Sequence, residues 1–418
     1  MARKDVFILL LILIPNLFLR TYRIDYAEGS AIFDEKAYYL EAARSYLQNR
    51  DDPNMEHPPL GKMIIAAGIR VFGDNPYGWR IPSLIFALAG ISLIYILAKE
   101  LFGGLFIPTT ASLLLSLDNM YFVYSRLAVM EMTLLVFMMA TITFLWKYYK
   151  NGTVINLILL SFFFGLSFST KWTAALILPA IAITAYRRGG KRTLIISLMT
   201  TFSATVIIYT LSYLPYILRH SFWQFVTLQQ TIVNFWQRFQ AKTQYNFAGY
   251  FLNHVTSWLF NPGWDYDLRL EGSDRIGVVN AMFNPAIYWL SIYFVVKSIR
   301  EIRKAFDLRI FLLTFLVILS FVPWFFVKRI QYLYYLLPIF PYLCLLTAFY
   351  LREIYRKGTD GKYRTVWFVA TAAAVFFFFY PTSSSLPVSK RYLSPLSSTP
   401  LTITIGEDEK NRQVVTLR

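Results

Sequence analysis

Apolar runs long enough to cross a bilayer recur along almost the whole chain, and no other feature constrains it so strongly. A helix needs roughly 20 apolar residues to traverse the hydrocarbon core. Runs at 6–20, 81–99, 105–123, 127–146, 154–170, 172–186, 193–214, 281–299, 308–327, 330–350 and 365–381 meet or approach that length. In lipid each backbone polar group must be satisfied internally, so such runs predict helices. The expected fold class is an all-α polytopic membrane protein with about eleven transmembrane helices. The runs at 154–170 and 172–186 abut at Lys171, so a single miscut segment is the alternative there.

Charge patterning orients these spans. The net charge is +17, yet only 16% of residues are charged, against about 25% in an average soluble domain. The basic residues stand at the ends of apolar runs, as in Lys147–Lys150, Arg187–Arg192, Lys297–Lys304 and Arg352–Lys362. That is the positive-inside pattern of cytoplasmic loops. It excludes nucleic acid as the partner and points to anionic lipid headgroups. With Arg3 and Lys4 cytoplasmic, an odd number of spans puts all four clusters on the cytoplasmic side, with an external C-terminus. A signal peptide has an apolar region about as long as the first run. Removing that run would leave the next segment tethered at one end only. The single cysteine, Cys344, excludes an intrachain disulfide.

Two external segments stand out from this transmembrane domain of 1–381. The first, 21–79, carries Asp34, Glu35, Glu56 and His57. The second, 215–280, is rich in aromatics, among them Trp223, Phe235, Trp236 and Trp258, and predicts amphipathic helices on the membrane surface. The tail 382–418 reads as a loosely ordered external extension.

Several constellations carry chemistry. Asp34-Glu35 follows the first span and precedes an amphipathic stretch, Lys36–Leu47. Acidic residues in a first helical turn commonly serve as caps. A carboxylate at the membrane surface also suits a general base that takes a hydroxyl proton. In Glu56-His57-Pro58-Pro59-Leu60-Gly61-Lys62 the prolines stop helix formation up to His57. Lys62 then falls in the first turns of the next helix, either snorkelling or poised for a lipid phosphate. Arg80, at the membrane boundary, is either an interfacial anchor or a bidentate clamp on phosphate oxygens. Asp118, Arg126 and Glu131 lie at or inside the external membrane face, where charges usually mark a cavity or pathway. A local Asp118–Arg126 ion pair is the simpler reading. Lys171 points into the bundle or at the external interface. Lys328 and Arg329 fall on the external side against the positive-inside trend, which a bound phosphate would explain. Tyr332 and Tyr335 beside them offer hydrogen bonds at headgroup depth.

In this order, Phe33-Asp34-Glu35, His57-Pro58-Pro59-Leu60-Gly61-Lys62, Tyr77-Gly78-Trp79-Arg80, Asp118-Asn119-Met120 with Ser125-Arg126-Leu127, Thr170-Lys171-Trp172, Asn284-Pro285 and Tyr334-Tyr335-Leu336-Leu337-Pro338 resemble the protein O-mannosyltransferase family. That family is a branch of the membrane-embedded GT-C glycosyltransferases. The resemblance implies a GT-C fold with eleven spans and an active site on the non-cytoplasmic face. It implies inverting transfer of mannose from dolichyl phosphate mannose to Ser or Thr hydroxyls of proteins. Asp34 would be the acceptor-side base with Glu35 beside it, and Arg80 a residue essential to the family. Glu131 departs from the pattern, standing where the family usually has Asp. The loop 215–280 is too short for the β-trefoil domain of eukaryotic members, so the chain looks like a compact prokaryotic or archaeal form, which would lie in the cell membrane.

On this basis the donor is expected to be a polyprenyl or dolichyl phosphate sugar, its phosphate meeting His57, Lys62, Arg80, Arg126, Lys171, Lys328, Arg329, Tyr332 and Tyr335. Asp118 and Glu131 would support the site. The cations would stabilise the departing phosphate. A cationic pocket removes the strict need for a metal, so no metal or cofactor is expected. A dimer is left open. One rival is a GT-C enzyme acting on a lipid or glycan, such as an aminoarabinose transferase. Another is a transporter or lipid flippase, which would hold its charges near the bilayer midplane in repeated halves.

Overall fold

The structure, a computed structural model, describes residues 2–25, 34–239, 255–261, 264–269, 275–327, 331–389, 392, 403–407 and 413–417. Helices dominate, and hydropathy explains where most begin and end. Those on the amino-terminal side are α1 (Arg3–Thr21), α2 (Glu41–Leu47), α3 (Leu60–Phe72), α4 (Pro76–Phe102), α5 (Phe106–Ser116), α6 (Asn119–Tyr124), α7 (Glu131–Asn151) and α8 (Val154–Thr170). After a 3-10 turn at Trp172–Ile177 come α9 (Leu178–Ser212), α10 (Leu214–Arg219) and α11 (Phe222–Phe239). The remaining helices are α12 (Pro285–Lys304), α13 (Leu308–Phe321), α14 (Phe340–Tyr355) and α15 (Thr359–Ser383).

Six helical segments among the described residues are long and apolar enough to cross a membrane, and two shorter ones, Phe106–Ser116 and Val154–Thr170, are apolar as well. One of the six, Trp172–Ser212, is two helices joined at a kink, because Gly189 and Gly190 leave helical geometry inside α9, and the second folds back so that Trp172 Nε1 donates to Tyr209 Oη at 3.1 Å. Gly190 has φ of +67°, a conformation glycine adopts without strain. The break falls within the basic cluster Arg187–Arg192. Likewise α8 and the next helix are separate elements: Lys171 between them is extended, at φ −158° and ψ 134°. The chain is an integral membrane protein.

The bundle is built by neighbours in sequence. α7, α8 and α9 pack side by side, α4 lies against α5 and α7, and α14 sits among α5, α12, α13 and α15. Close approach of α3 and α4 depends on glycine. A methyl group on Gly78 would stand 1.9 Å from the Gly73 carbonyl oxygen, and one on Gly68 2.4 Å from that of Gly78. Small residues of this kind let backbones meet in membrane bundles.

The tail departs from expectation. A five-stranded sheet runs in the order β3-β2-β1-β4-β5, from β1 (Trp264–Arg269), β2 (Arg275–Ala281), β3 (Val388–Ser389), β4 (Ile403–Glu407) and β5 (Gln413–Leu417). β1 and β2 form a hairpin within the segment 215–281, and β4 joins β1 in parallel, Trp264 opposite Ile403. The residues expected to be a loose extension therefore contribute three strands. Two of them, β3 and β4, pair with β2 and β1 more than a hundred residues away, where no local pattern reveals them. The otherwise all-α protein carries this sheet as its one β element among the described residues.

Candidate active site

Helix α4 opens with Asn75-Pro76, and the Asn75 side-chain oxygen accepts from the N–H groups of Tyr77 and Gly78 at 3.0 and 3.3 Å. Asn at the cap and Pro in the first turn are a strong helix start. The second turn carries Arg80 inward, where it is only 3% exposed. Its Nε donates to Glu35 Oε1 at 2.9 Å and its Nη2 to Glu35 Oε2 at 2.8 Å, while Nη1 donates to the Ile24 carbonyl at 2.7 Å. The bidentate clamp expected of Arg80 exists, but it closes on a carboxylate and not on a phosphate. Glu35 Oε1 also accepts the Ala128 N–H at 2.5 Å. Both oxygens of Glu35 are occupied, so in this structure it anchors the segment that carries Asp34. Asp34 opens a π-helical stretch, Asp34–Leu40, and its side chain lies outside the described residues.

The turn before α7 holds the same segment from its other end. Arg126 donates to the carbonyl oxygens of Leu19, Arg20, Tyr22 and Arg23 at 3.4, 3.0, 2.8 and 2.9 Å, and to that of Ser384 at 3.4 Å. Those are the orphan carbonyls at and beyond the end of α1, which a cation satisfies well. Arg126 therefore caps α1 instead of waiting for a phosphate. Arg20, which no local signal distinguished from an interfacial anchor, is fully buried beside it. It donates to Ser125 Oγ at 3.2 Å and lies over the rings of Tyr121 and Phe122.

Lys62 is likewise engaged. Its ammonium pairs with Asp52 and donates to the carbonyls of Asn54 and His57 at 2.6 and 2.9 Å, accounting for its three donors. Burial pulls this ammonium below the usual lysine range, opposed by Asp52. Lys62 thus closes the loop of residues 52–57, and its expected phosphate contact is replaced by that role. The His57 ring lies 5.4 Å from Trp236, whose indole donates to the Glu56 carbonyl at 2.9 Å. Arg219 and His220 grip Asp51 at 3.2 and 2.8 Å. α10 and α11 are fastened to the loop of residues 51–57 through these contacts.

Asp118 does not pair with Arg126. It caps α6, accepting from Tyr121 N–H at 2.8 Å, and accepts from Asn284 N–H at 2.8 Å. Asn284 caps α12 in turn, accepting from Ala286 N–H at 3.1 Å. These two motifs, far apart in sequence, hold α6 and α12 together.

A cleft of about 390 Å³, counting its open mouth, lies between the start of α7, the 3-10 turn after α8 and the segment 320–339. Glu131, Lys171, Trp324, Tyr334 and Tyr335 line it. Lys171 Nζ is 3.2 Å from Glu131 Oε1 and 5.6 Å from the ring centres of both tyrosines. Tyr335 stacks on Trp324 with centroids 4.4 Å apart, and Tyr332 stacks on Tyr334 at 5.4 Å. Gln331, unremarkable in sequence, holds this wall together: it donates to the Trp324 and Val327 carbonyls at 2.6 Å each and accepts from Val255 N–H at 2.7 Å. Lys328 and Arg329 lie outside the described residues. Of the expected phosphate ligands, the cleft collects Lys171 and Tyr335, with Glu131.

Both ends of α4 carry charge. Its first turns hold Arg80; about 30 Å further along the helix, Lys99 pairs with Asp5 at 2.6 Å, and Glu100 with Lys147 and Lys150 at 3.7 and 3.2 Å. Among the described residues no three His, Cys, Asp or Glu side chains gather as a metal site.

Residues 56–216 match the model of the family described as dolichyl-phosphate-mannose-protein mannosyltransferase. Over that segment the chain is similar to the protein O-mannosyltransferases. Among relatives of this family, the polyprenol-phosphate-mannose–protein mannosyltransferase of Mycolicibacterium smegmatis is 34% identical over 118 residues, 27% of this chain and 23% of the relative. The Corynebacterium glutamicum protein of the same name is 34% identical over 125 residues, 27% and 24% of the two chains. The chain thus spans about a quarter of the length of these curated relatives. In fold it resembles a chain of the Saccharomyces cerevisiae protein O-mannosyltransferase Pmt1-Pmt2 complex bound to the sugar donor. That likeness has a TM-score of 0.76 at 11% identity and covers 100% of this chain and 96% of the other. ArnT from Cupriavidus metallidurans bound to undecaprenyl phosphate follows at 0.58 and 15%, over 95% and 79%. The fold is that of the GT-C membrane glycosyltransferases.

Proposed function

We propose that this chain transfers mannose, or a related hexose, from a polyprenyl phosphate donor to Ser or Thr hydroxyls of proteins, with inversion, at the non-cytoplasmic face. The observation that carries the proposal is the buried Glu35–Arg80 pair, closed by the Ala128 N–H, which fixes the backbone next to Asp34. The acceptor oxygen attacks the anomeric carbon while Asp34 takes its proton. The bond from that carbon to the phosphate oxygen breaks on the opposite face, and the polyprenyl phosphate leaves with the electron pair. One displacement inverts the centre, as in inverting glycosidases. Lys171 stabilises the departing phosphate, with Tyr335 beside it. The relatives' names and the donor-bound and lipid-phosphate-bound neighbours support the donor class. The positive-inside pattern supports the orientation, because the basic cluster of Lys147 and Lys150 lies at the end of α4 away from Arg80.

The test is transfer of labelled mannose from polyprenyl phosphate mannose to a Ser/Thr peptide by the full chain in vesicles, with a lipid acceptor in a parallel arm. Asp34→Asn is expected to lose about 10²–10⁴-fold in rate. Wild-type transfer by a correctly inserted Asp34→Asn protein would remove Asp34 as the base. Transfer to the lipid acceptor alone would assign the chain to the ArnT-like reaction.

A further inference from the structure

Lys171 sits at a break in the helices: its backbone is extended, between the end of α8 and the 3-10 turn Trp172–Ile177. Element ends of this kind absorb backbone rotation, so the aim of the side chain depends on what fixes the turn that follows. Trp172 opens that turn. Its indole N–H donates to Tyr209 Oη at 3.1 Å, and Tyr209 Oη donates to Gln229 Oε1 at 2.7 Å. Each member of this relay fits its place. An indole N–H can only donate; a phenolic oxygen accepts it and still has one proton to give; an amide oxygen takes that proton.

The relay joins three elements. The kink at Gly189 and Gly190 folds the second half of α9 back, which brings Tyr209 to Trp172 across 37 residues. Gln229 belongs to α11, where Phe225, Gln229, Ile232 and Trp236 recur at intervals of four, three and four and so share one face. Phe225 and Ile232 are buried. Phe225 lies 5.1 Å from the Tyr213 ring, which lies 5.0 Å from that of Tyr209. Two helical turns beyond Gln229, about 10 Å along the axis, Trp236 donates to the Glu56 carbonyl at 2.9 Å. Glu56 is in the loop that Lys62 closes through the His57 carbonyl. Helix α11 is therefore a strap, held to the turn after Lys171 at its middle and to the loop of residues 52–57 near its end.

We infer that Tyr209 is a positioning residue for Lys171: its hydroxyl ties the Lys171–Trp172 turn to α11 and so holds the ammonium where the donor phosphate departs. The inference rests on the phosphate role proposed above for Lys171 and adds to it the side chains that aim that residue. The Tyr209 ring is seated by other contacts, 5.6 Å from Phe168 and 5.0 Å from Tyr213, so Tyr209→Phe removes the hydroxyl and leaves the packing. A packing role for Tyr209 would act on the bundle whatever stands at residue 171. A positioning role acts only while the lysine is there.

The test is a double-mutant cycle on binding of polyprenyl phosphate by the full chain in nanodiscs, with Tyr209→Phe and Lys171→Met as the two changes. Tyr209→Phe is expected to weaken binding about five- to tenfold, the scale of one neutral hydrogen bond. It should have no further effect once Lys171 is replaced, because residues that act through one another are not additive. Gln229→Leu cuts the same relay from the external helix and should give the same pattern, so it reports independently should Tyr209→Phe fail to insert. Wild-type binding by both relay variants overturns the inference. A loss of equal size with and without Lys171 overturns it as well, making Tyr209 a packing residue. Wild-type binding by Lys171→Met removes the phosphate role of Lys171 itself, and a wild type that does not bind the lipid sinks the donor assignment.

Discussion

Replacing Arg80 by Met should be among the most damaging single changes in this protein, and the structure sets its size. Arg80 and Glu35 side chains are 4% and 5% exposed, and the guanidinium meets both carboxylate oxygens within 2.9 Å. Removing one partner of a buried pair strands the other charge, at a cost of about 3–5 kcal/mol. Glu35 keeps the Ala128 N–H in the variant, which places the expected loss toward the lower end, about 3 kcal/mol. The double variant Glu35→Met/Arg80→Met removes both charges from the apolar interior, so most of that stability should return. Transfer should not return. The double variant frees the backbone beside Asp34, and a misplacement of about 1 Å in a reacting group costs about 10²-fold. The assay is a double-mutant cycle on thermal unfolding in micelles, with transfer rates measured on the same samples. A coupling below about 0.5 kcal/mol, within the scatter for independent sites, would refute a desolvated pair. Wild-type transfer by the double variant would refute the anchoring of Asp34.

Three further outcomes follow from the same geometry. Lys62→Met should loosen residues 50–57, seen as faster amide exchange there, while affinity for polyprenyl phosphate stays unchanged; a selective loss of that affinity would return Lys62 to the phosphate. Arg126→Lys cannot span the carbonyls of residues 19–23 and 384, and should destabilise by about 1–3 kcal/mol through the carbonyls left unpaired, with protease sensitivity near residues 20–25 as the readout. The latch of Asp51 on His220 and Arg219 is acid-sensitive. The hydrogen bond from His220, then Arg219, holds the Asp51 carboxyl below its ordinary value of 3.8. A depressed carboxylate contributes stability above its unfolded pKa and loses it as pH falls through the folded value. Contact between α10 and the loop at Asp51 should therefore hold at pH 5 and weaken only below about pH 4, as monitored by amide exchange; Asp51→Asn should abolish the dependence.

The local physics of the chain was legible because hydropathy and helix punctuation act over short windows. The apolar runs appear as helices, Pro58-Pro59 precedes α3, Lys171 separates α8 from the next helix, and the basic cluster Arg187–Arg192 contains the break in α9. The strings Asp34-Glu35, Tyr77-Gly78-Trp79-Arg80 and Ser125-Arg126-Leu127 pointed to segments that the tertiary structure does draw together. Asp34 keeps its expected role as a proposal, and Lys328 and Arg329 lie outside the described residues.

Partners were another matter, because a charge in the sequence carries no address. Arg80 meets Glu35 across 45 residues, Arg126 reaches carbonyls 103 to 107 residues away, and Lys171 finds Glu131 across 40. Which acceptor each buried cation takes depends on helix packing, since each must be matched wherever the folded bundle leaves it. Sequence alone determined that this chain lives in a membrane and where its charges gather. Only the tertiary structure decided that Arg80, Lys62 and Arg126 hold the protein's own backbone and carboxylates, leaving Lys171 as the cation in the described cleft.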